Sequence, residues 1–499
     1  MDMKTSPLSL LKDPSLLKTD SLINGQWVAA PAAGGSGPGR FDVLDPSNGH
    51  KLADVANLGP AEAEAAIAAA NAAWPAWRKK TAKERSIILR KWFDLLMANQ
   101  DDLGRIMTAE QGKPFPEAKG EVAYGASFVE WFAEEAKRIN GETLPQFDNN
   151  RRLIILKEPI GVCAAITPWN FPLAMITRKV APALAAGCPV IIKPAELTPL
   201  TALAAAELAL RAGIPAGVLN MITADSANSI AVGKVLCASD VVRHISFTGS
   251  TEVGRILMAQ SAPTVKKLSL ELGGNAPFIV FDDADIDSAV EGAMLSKYRN
   301  AGQTCVCANR FYVQEAVYDQ FVAKFSAKVK ALKVGNGFED GVMQGPLIED
   351  AAVEKVSRHV ADALAKGGRV TVGGSKLDGQ FFEPTVIAEA RADMLCAKEE
   401  TFGPFAPVFR FKTEQEAIDA ANATEFGLAS YFYSRDVGRI FRVSEALEYG
   451  MVGINVGILA TEHVPFGGVK QSGLGREGSH HGIDDYVEIK FLCIGDVLK

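Results

Sequence analysis

Four short apolar runs, at residues 161–167, 189–193, 218–222 and 241–247, alternate with helical patterns at 174–186 and 200–212 and one starting near Ser250. Strands that are apolar on both faces and separated by helix-length segments need cover on both sides. The alternation therefore predicts an α/β fold built on a parallel sheet. The same grammar returns later, with strands at 276–281, 310–313, 370–372, 404–411, 429–433 and 451–455 and helices at 317–332, 352–365 and 435–446. In 499 residues, two such units exceed what one hydrophobic core serves, so two or three domains are expected.

Ahead of the alternation, helices are predicted over 60–79, 83–99 and 117–139, the last with Phe128, Trp131 and Phe132 on its apolar side as core residues. Residues 22–28 read as two short strands around an Asn24-Gly25 turn, 31–40 as a surface loop, and 1–20 as a loose, partly helical extension. Two β-rich runs, 152–157 and 484–493, stand apart from both sheets and suit an arm that meets another subunit.

Charge and composition narrow the function classes. A net charge of −7 provides no basic footprint for nucleic acid. No apolar run approaches the roughly 20 residues of a membrane span. Seven scattered cysteines make no disulfide framework, and Cys305-Val306-Cys307 lacks the companion ligands of a metal site, so a reducing compartment and no metal are expected. Asp2, Asp13 and Asp20, with no apolar stretch among them, do not resemble a targeting peptide; a cytoplasmic location follows as the default.

Ligands of parallel sheets sit at the carboxyl ends of the strands, and candidate motifs occupy those ends. Thr167-Pro168-Trp169-Asn170-Phe171-Pro172 can aim the Asn170 amide at a developing oxyanion, or can be a rigid proline turn with a capping Asn. Lys193-Pro194-Ala195-Glu196 suits ribose hydroxyls, or is a solvated pair. Gly249 and Ser250 begin a helix whose free amides can hold phosphate, or Ser250 is a plain N-cap. That turn is not G-x-G-x-x-G, so a dinucleotide would lie differently from the usual Rossmann pose. Glu271, followed by Leu272-Gly273-Gly274, is poorly explained by packing, and an apolar setting would raise its pKa toward that of a general base. Glu400 and Phe402 could hold a ribose and its attached ring. Finally, Gly302-Gln303-Thr304-Cys305 links a helical pattern to a strand. A thiol there can face a cleft, although a free Cys is more commonly a small buried hydrophobe.

In this order, PWNFP, KPAE, FTGSTEVG, ELGGNAP, GQTC and EETFGP resemble the aldehyde dehydrogenase superfamily, from about Leu22 to the C-terminus. The resemblance implies two Rossmann-related parallel-sheet domains plus a small β oligomerisation arm. The dinucleotide-binding domain would span 1–146 and 159–272, the catalytic domain 273–478, and the arm 147–158 and 479–499. Cys305 would be the nucleophile, Glu271 the base, and Asn170 with the Cys305 N–H the oxyanion donors. Trp169, Lys193, Glu196, Gly249, Ser250, Leu272, Glu400 and Phe402 would hold the dinucleotide.

Arg178 and Arg299 each lie near a catalytic motif, and two guanidinium groups converging on a small pocket would bind a carboxylate. With the 465–478 tail and Thr461, they resemble the succinate-semialdehyde dehydrogenase group. That implies oxidation of succinic semialdehyde to succinate, a place in γ-aminobutyrate degradation, and a homo-oligomer, dimer or tetramer. Glutarate semialdehyde, one methylene longer, is the rival substrate. A non-catalytic member of the superfamily is the rival of another class, opposed by the joint presence of Cys305, Glu271 and Asn170. NADP-preferring relatives often carry Ser where Glu196 stands. Glu196 would repel a 2′-phosphate, so NAD is favoured over NADP. Cys307 is a candidate redox partner of Cys305, against the strain of so tight a ring.

Overall fold

The computed structural model describes residues 6–29 and 39–496. Most of the expected loop at 31–40, and the first five residues of the N-terminal extension, lie outside the described residues.

Two sheets carry the molecule. The first has eight strands in the order Gly473–Leu474, Lys267–Glu271, Val242–Thr248, Val162–Ile166, Val190–Lys193, Leu219–Met221, Ser21–Ile23 and Gln26–Val28. Its five strands from Lys267–Glu271 to Leu219–Met221 run parallel, with antiparallel strands added at both edges. The second has seven strands, all parallel except the edge strand Arg369–Val372. The parallel α/β expectation holds for both. Burial explains it: Ala174–Ala186 is buried along its whole length, so the helix is a core element covering one face of the sheet.

Several elements escaped the periodicity reading. Helix Gln100–Gln111 was not expected, because it hides polar residues that break an apolar pattern. Two of them are structural anchors. Asp102 accepts the backbone N–H groups of Lys12 and Asp13, and Glu110 accepts those of Leu200 and Thr201 at the start of helix Pro199–Ala212. From residue 6 onward the N-terminal extension is consequently not loose; Leu8, Leu11 and Leu16 are buried in the core around the first sheet. Helix Ser226–Ala238, the hairpin Arg40–Leu44 with Lys51–Ala56, and strand Thr385–Ala390 were also missed.

Two strand pairings bear on the expected domain limits. Gly473–Leu474, assigned by sequence to the catalytic domain, pairs with Leu270 and Glu271 in the first sheet. Glu142–Leu144, Arg152–Pro159 and Val487–Ile494 form a separate three-stranded sheet, which holds both β-rich runs expected of the arm and one strand ahead of residue 147. Ile489 and Phe491 remain exposed on its last strand.

Candidate active site

Glu271 ends the strand Lys267–Glu271, held on one side by the parallel neighbour Thr248 and on the other by Gly473. Gly249 N–H also donates to the Glu271 carbonyl at 3.0 Å, which ties the candidate phosphate turn to the candidate base. The chain then passes between two other motifs. A Cβ at Gly274 would lie 2.7 Å from the Cys305 carbonyl oxygen, so no larger residue permits that approach. Glu400 accepts the Gly274 N–H at 3.4 Å.

The Cys305 turn is itself strained. Asn300 and Ala301 both have positive φ (52° and 53°), an unusual conformation for non-glycine residues, followed by Gly302 at 75°. Neighbours over-determine it. The Glu117 carboxylate accepts the Asn300 N–H at 3.0 Å, and the Asn300 amide donates to the Asn170 carbonyl at 3.0 Å. The Asn170 amide donates to the Gln303 carbonyl at 3.1 Å, two residues before the thiol. Lys113, ion-paired with Glu121, also reaches the Asn170 carbonyl at 2.8 Å. Asn170 is thus locked beside the candidate nucleophile turn with its amide directed there.

Electrostatics sharpen the roles. Burial pushes the Cys305 thiol up to about 12, against the pull of Arg178. Burial, with the Glu477 carboxylate, also raises Glu271 well above the usual carboxylate range, and Arg178 and Lys179 oppose it. Neither Glu271 oxygen has a hydrogen-bond partner among the described residues. A buried carboxyl with both oxygens free and high proton affinity can take a proton from a thiol or from water.

The segment 465–478 forms the wall behind Glu271. Ser472 accepts the Leu272 N–H through its carbonyl and donates through its hydroxyl to Gly273, while a Cβ at Gly467 would lie 3.0 Å from Glu271 Oε1. Glu477 was not singled out from the sequence, yet it organises this wall. It pairs with Arg178 Nη2 at 2.7 Å and with Lys179, whose ammonium also reaches Ser246 Oγ at 3.0 Å. Two adjacent basic residues on one helix, opposite a single Glu in the tail motif, were the only available signal.

The two arginines consequently differ. Arg178 is buried, ion-paired with Glu477, and stacked over Phe466 at 4.0 Å. Arg299 stands over Phe171 at 5.1 Å and has no ion pair among the described residues. Arg299 lines a small cavity with Thr304, Val306, Tyr431, Leu459 and Ala460. Tyr124, also unforeseen, packs in the cluster containing Phe171 and edges Phe128, over which Arg178 stands at 5.5 Å. Thr461 is not part of that lining; its hydroxyl bonds His463 Nδ1 at 2.9 Å, and Ala460 is the residue facing the cavity. The Cys307 thiol is buried, donates to the Lys297 carbonyl at 3.5 Å and accepts from Thr304 Oγ1 at 2.9 Å. Bonding Cys305 would require it to leave both.

The dinucleotide candidates cluster at strand ends. Lys193 Nζ donates to Ser229 Oγ at 2.9 Å and meets Glu196 at 3.4 Å; burial lowers its pKa while Glu196 raises it. Ser250 caps helix Thr251–Ser261 by accepting the Val253 N–H. Leu272 is buried against Gly254, where an added Cβ would collide with it. Burial lifts Glu400 to about 7, with Lys355 opposing. The Phe402 ring meets Trp169 edge-on at 5.6 Å. A helix N-terminus, a strand-end Lys–Glu pair and an aromatic pair beside a carboxyl fit a dinucleotide.

The model of the aldehyde dehydrogenase family matches residues 33–492. Three relatives are each 60% identical to this chain. They are 3-sulfolactaldehyde dehydrogenase of Pseudomonas putida (98% of this chain, 99% of the relative), succinate-semialdehyde dehydrogenase (NADP(+)) GabD of Escherichia coli K12 (97% and 99%), and glutarate-semialdehyde dehydrogenase of Pseudomonas putida KT2440 (97% and 99%).

Proposed function

Because the chain belongs to the aldehyde dehydrogenase family, whose enzymes depend on NAD(P), we propose that it oxidises succinic semialdehyde to succinate. The observation that carries this reading is the Arg299 cation, without an ion pair among the described residues, in a cavity lined by Thr304 and Val306, on either side of Cys305. An aldehyde carrying an anion a few bonds away would place its carbonyl at Cys305 and its charge at Arg299. The relatives act by name on three such aldehydes at equal identity, so identity alone does not choose among them.

In the proposed reaction Glu271 takes the Cys305 proton as the sulfur attacks the aldehyde carbon. The Asn170 amide and the Cys305 N–H hold the oxyanion of the thiohemiacetal. NAD or NADP, when bound, supplies a hydride acceptor, held by Lys193, Glu196, Gly249, Ser250, Leu272, Glu400 and Phe402 beside Trp169. Collapse of the thiohemiacetal oxyanion leaves a thioester on Cys305. Glu271, once it has passed the thiol proton to solvent, deprotonates the water that hydrolyses it. Cys307 stays a candidate redox partner of Cys305, and γ-aminobutyrate degradation the pathway in which we place the reaction. A cytoplasmic homo-oligomer, dimer or tetramer, is the assembly we infer, with the apolar outer face of the arm as its contact.

Arg299→Gln is expected to raise KM for succinic semialdehyde by about ten- to a hundredfold, the loss of one charge-assisted contact. KM for butanal should not move. Arg178→Gln should act differently, lowering the melting temperature as well, because it removes one of the two cations paired with the buried Glu477 carboxylate and leaves Lys179 alone against it. Steady-state rates over succinic and glutaric semialdehydes, sulfolactaldehyde and butanal check this, and equal KM changes for charged and neutral aldehydes would refute the anchor role.

Glu196 supports NAD, set against the NADP(+) of the Escherichia coli relative's name. Its carboxylate is partly exposed beside Lys193, where it would accept a ribose hydroxyl and repel a phosphate. Wild-type kcat/KM should favour NAD by about tenfold or more, and Glu196→Ser should shift the ratio toward NADP. A wild-type preference for NADP would sink the assignment.

A further inference from the structure

Helix Asp350–Ala365 sends Lys355 and, one turn later, His359 toward the segment bearing Glu400 and Phe402. His359 is fully buried. Its Nδ1 lies 2.9 Å from Thr401 Oγ1 and its Nε2 lies 3.3 Å from Glu399 Oε2, and Phe405 packs edge-on against the ring at 6.2 Å. Glu399 also takes a 2.6 Å bond from Arg358.

The tautomer follows from these partners. An ionised carboxylate can only accept, so Nε2 carries the hydrogen; neutral imidazole then has Nδ1 as acceptor, and the Thr401 hydroxyl must donate to it. Burial lowers the pKa of His359, against the pull of Glu399, which favours this neutral form. One imidazole therefore grips the side chains on both sides of Glu400. Phe402, the residue after Thr401, has φ of 55°. Non-glycine residues hold that conformation only where their surroundings over-determine it. Gly274 N–H reaches Glu400 from the other side.

We propose that His359 is a positioning residue of the dinucleotide site, fixing Glu400 and Phe402 through its bonds to Glu399 and Thr401. This rests on the reading that Glu400 and Phe402 hold the dinucleotide. A purely structural histidine would affect folding stability alone. A positioning histidine changes how tightly the dinucleotide is held and leaves the aldehyde site untouched.

The test measures NADH binding by fluorescence titration, with melting temperature and aldehyde KM, for His359→Gln, Thr401→Val and the double variant. Thr401→Val removes only the hydroxyl donor and keeps the side-chain shape, so it remains informative if His359→Gln folds poorly. Each single substitution should raise Kd for NADH by about tenfold, with aldehyde KM essentially unchanged. The double variant should bind no more weakly than the worse single one, since both break the same link. An unchanged Kd in Thr401→Val and in folded His359→Gln, with only the melting temperature lowered, overturns the proposal. Glu400→Gln tests the underlying reading separately. If it leaves NADH affinity intact, the reading of Glu400 falls; if it weakens binding while His359→Gln and Thr401→Val do not, the positioning role alone falls.

Discussion

Cys305→Ala is expected to lower kcat for aldehyde oxidation by about 10⁴-fold or more, as removal of an enzymatic nucleophile does elsewhere. The loss should be in chemistry alone. Cys305 is only half-buried, and the turn is held by Glu117, Asn170, Asn300 and Gln303, none of which bonds the Cys305 sulfur. Folding and NADH affinity should accordingly persist. Because burial keeps the thiol protonated up to about 12, alkylation by iodoacetamide should be slow near neutral pH and faster as pH rises. Intact-mass measurement after alkylation, with and without the substitution, reads this directly. An Ala variant retaining a tenth of wild-type turnover would exclude Cys305 as nucleophile.

Glu271→Gln should lower kcat by about 10²- to 10⁴-fold, the usual contribution of a general base. Its diagnostic is kinetic. If Glu271 serves chiefly to activate the hydrolytic water, rapid mixing should show one equivalent of dinucleotide reduced per site, then near arrest as the thioester accumulates. The pH sign follows from burial. Glu271 acts when ionised, and its pKa lies well above the usual carboxylate range, so wild-type kcat should climb as pH rises through that elevated pKa. The climb should disappear in the Gln variant. A variant with neither burst nor altered pH profile would remove Glu271 from both steps.

Much of this site was legible because its chemistry sits at strand ends. Asn170, Lys193, Glu196, Gly249 and Glu271 each follow an apolar run, and the turn residues around them are constrained by proline or glycine. The residues that went unread act across long sequence distances. Glu117 meets Asn300, Glu477 meets Arg178 and Lys179, and His359 meets Glu399 and Thr401. On their own helices these are ordinary polar residues. The helix Gln100–Gln111 was missed for a related reason, since its buried carboxylates look like surface residues until their backbone partners are known.

The pattern of apolar runs by itself determined a pair of parallel α/β sheets, because strands buried on both faces cannot be satisfied otherwise. The order of motifs determined the chemistry to seek. Only the tertiary structure decided which of two similar arginines lacks an ion pair among the described residues. Arg178 faces a carboxylate brought from 299 residues away in the chain and is ion-paired, whereas Arg299 stands over an aromatic ring and has no ion pair among the described residues. A side chain's charge is written in the sequence, but its partner is set by packing.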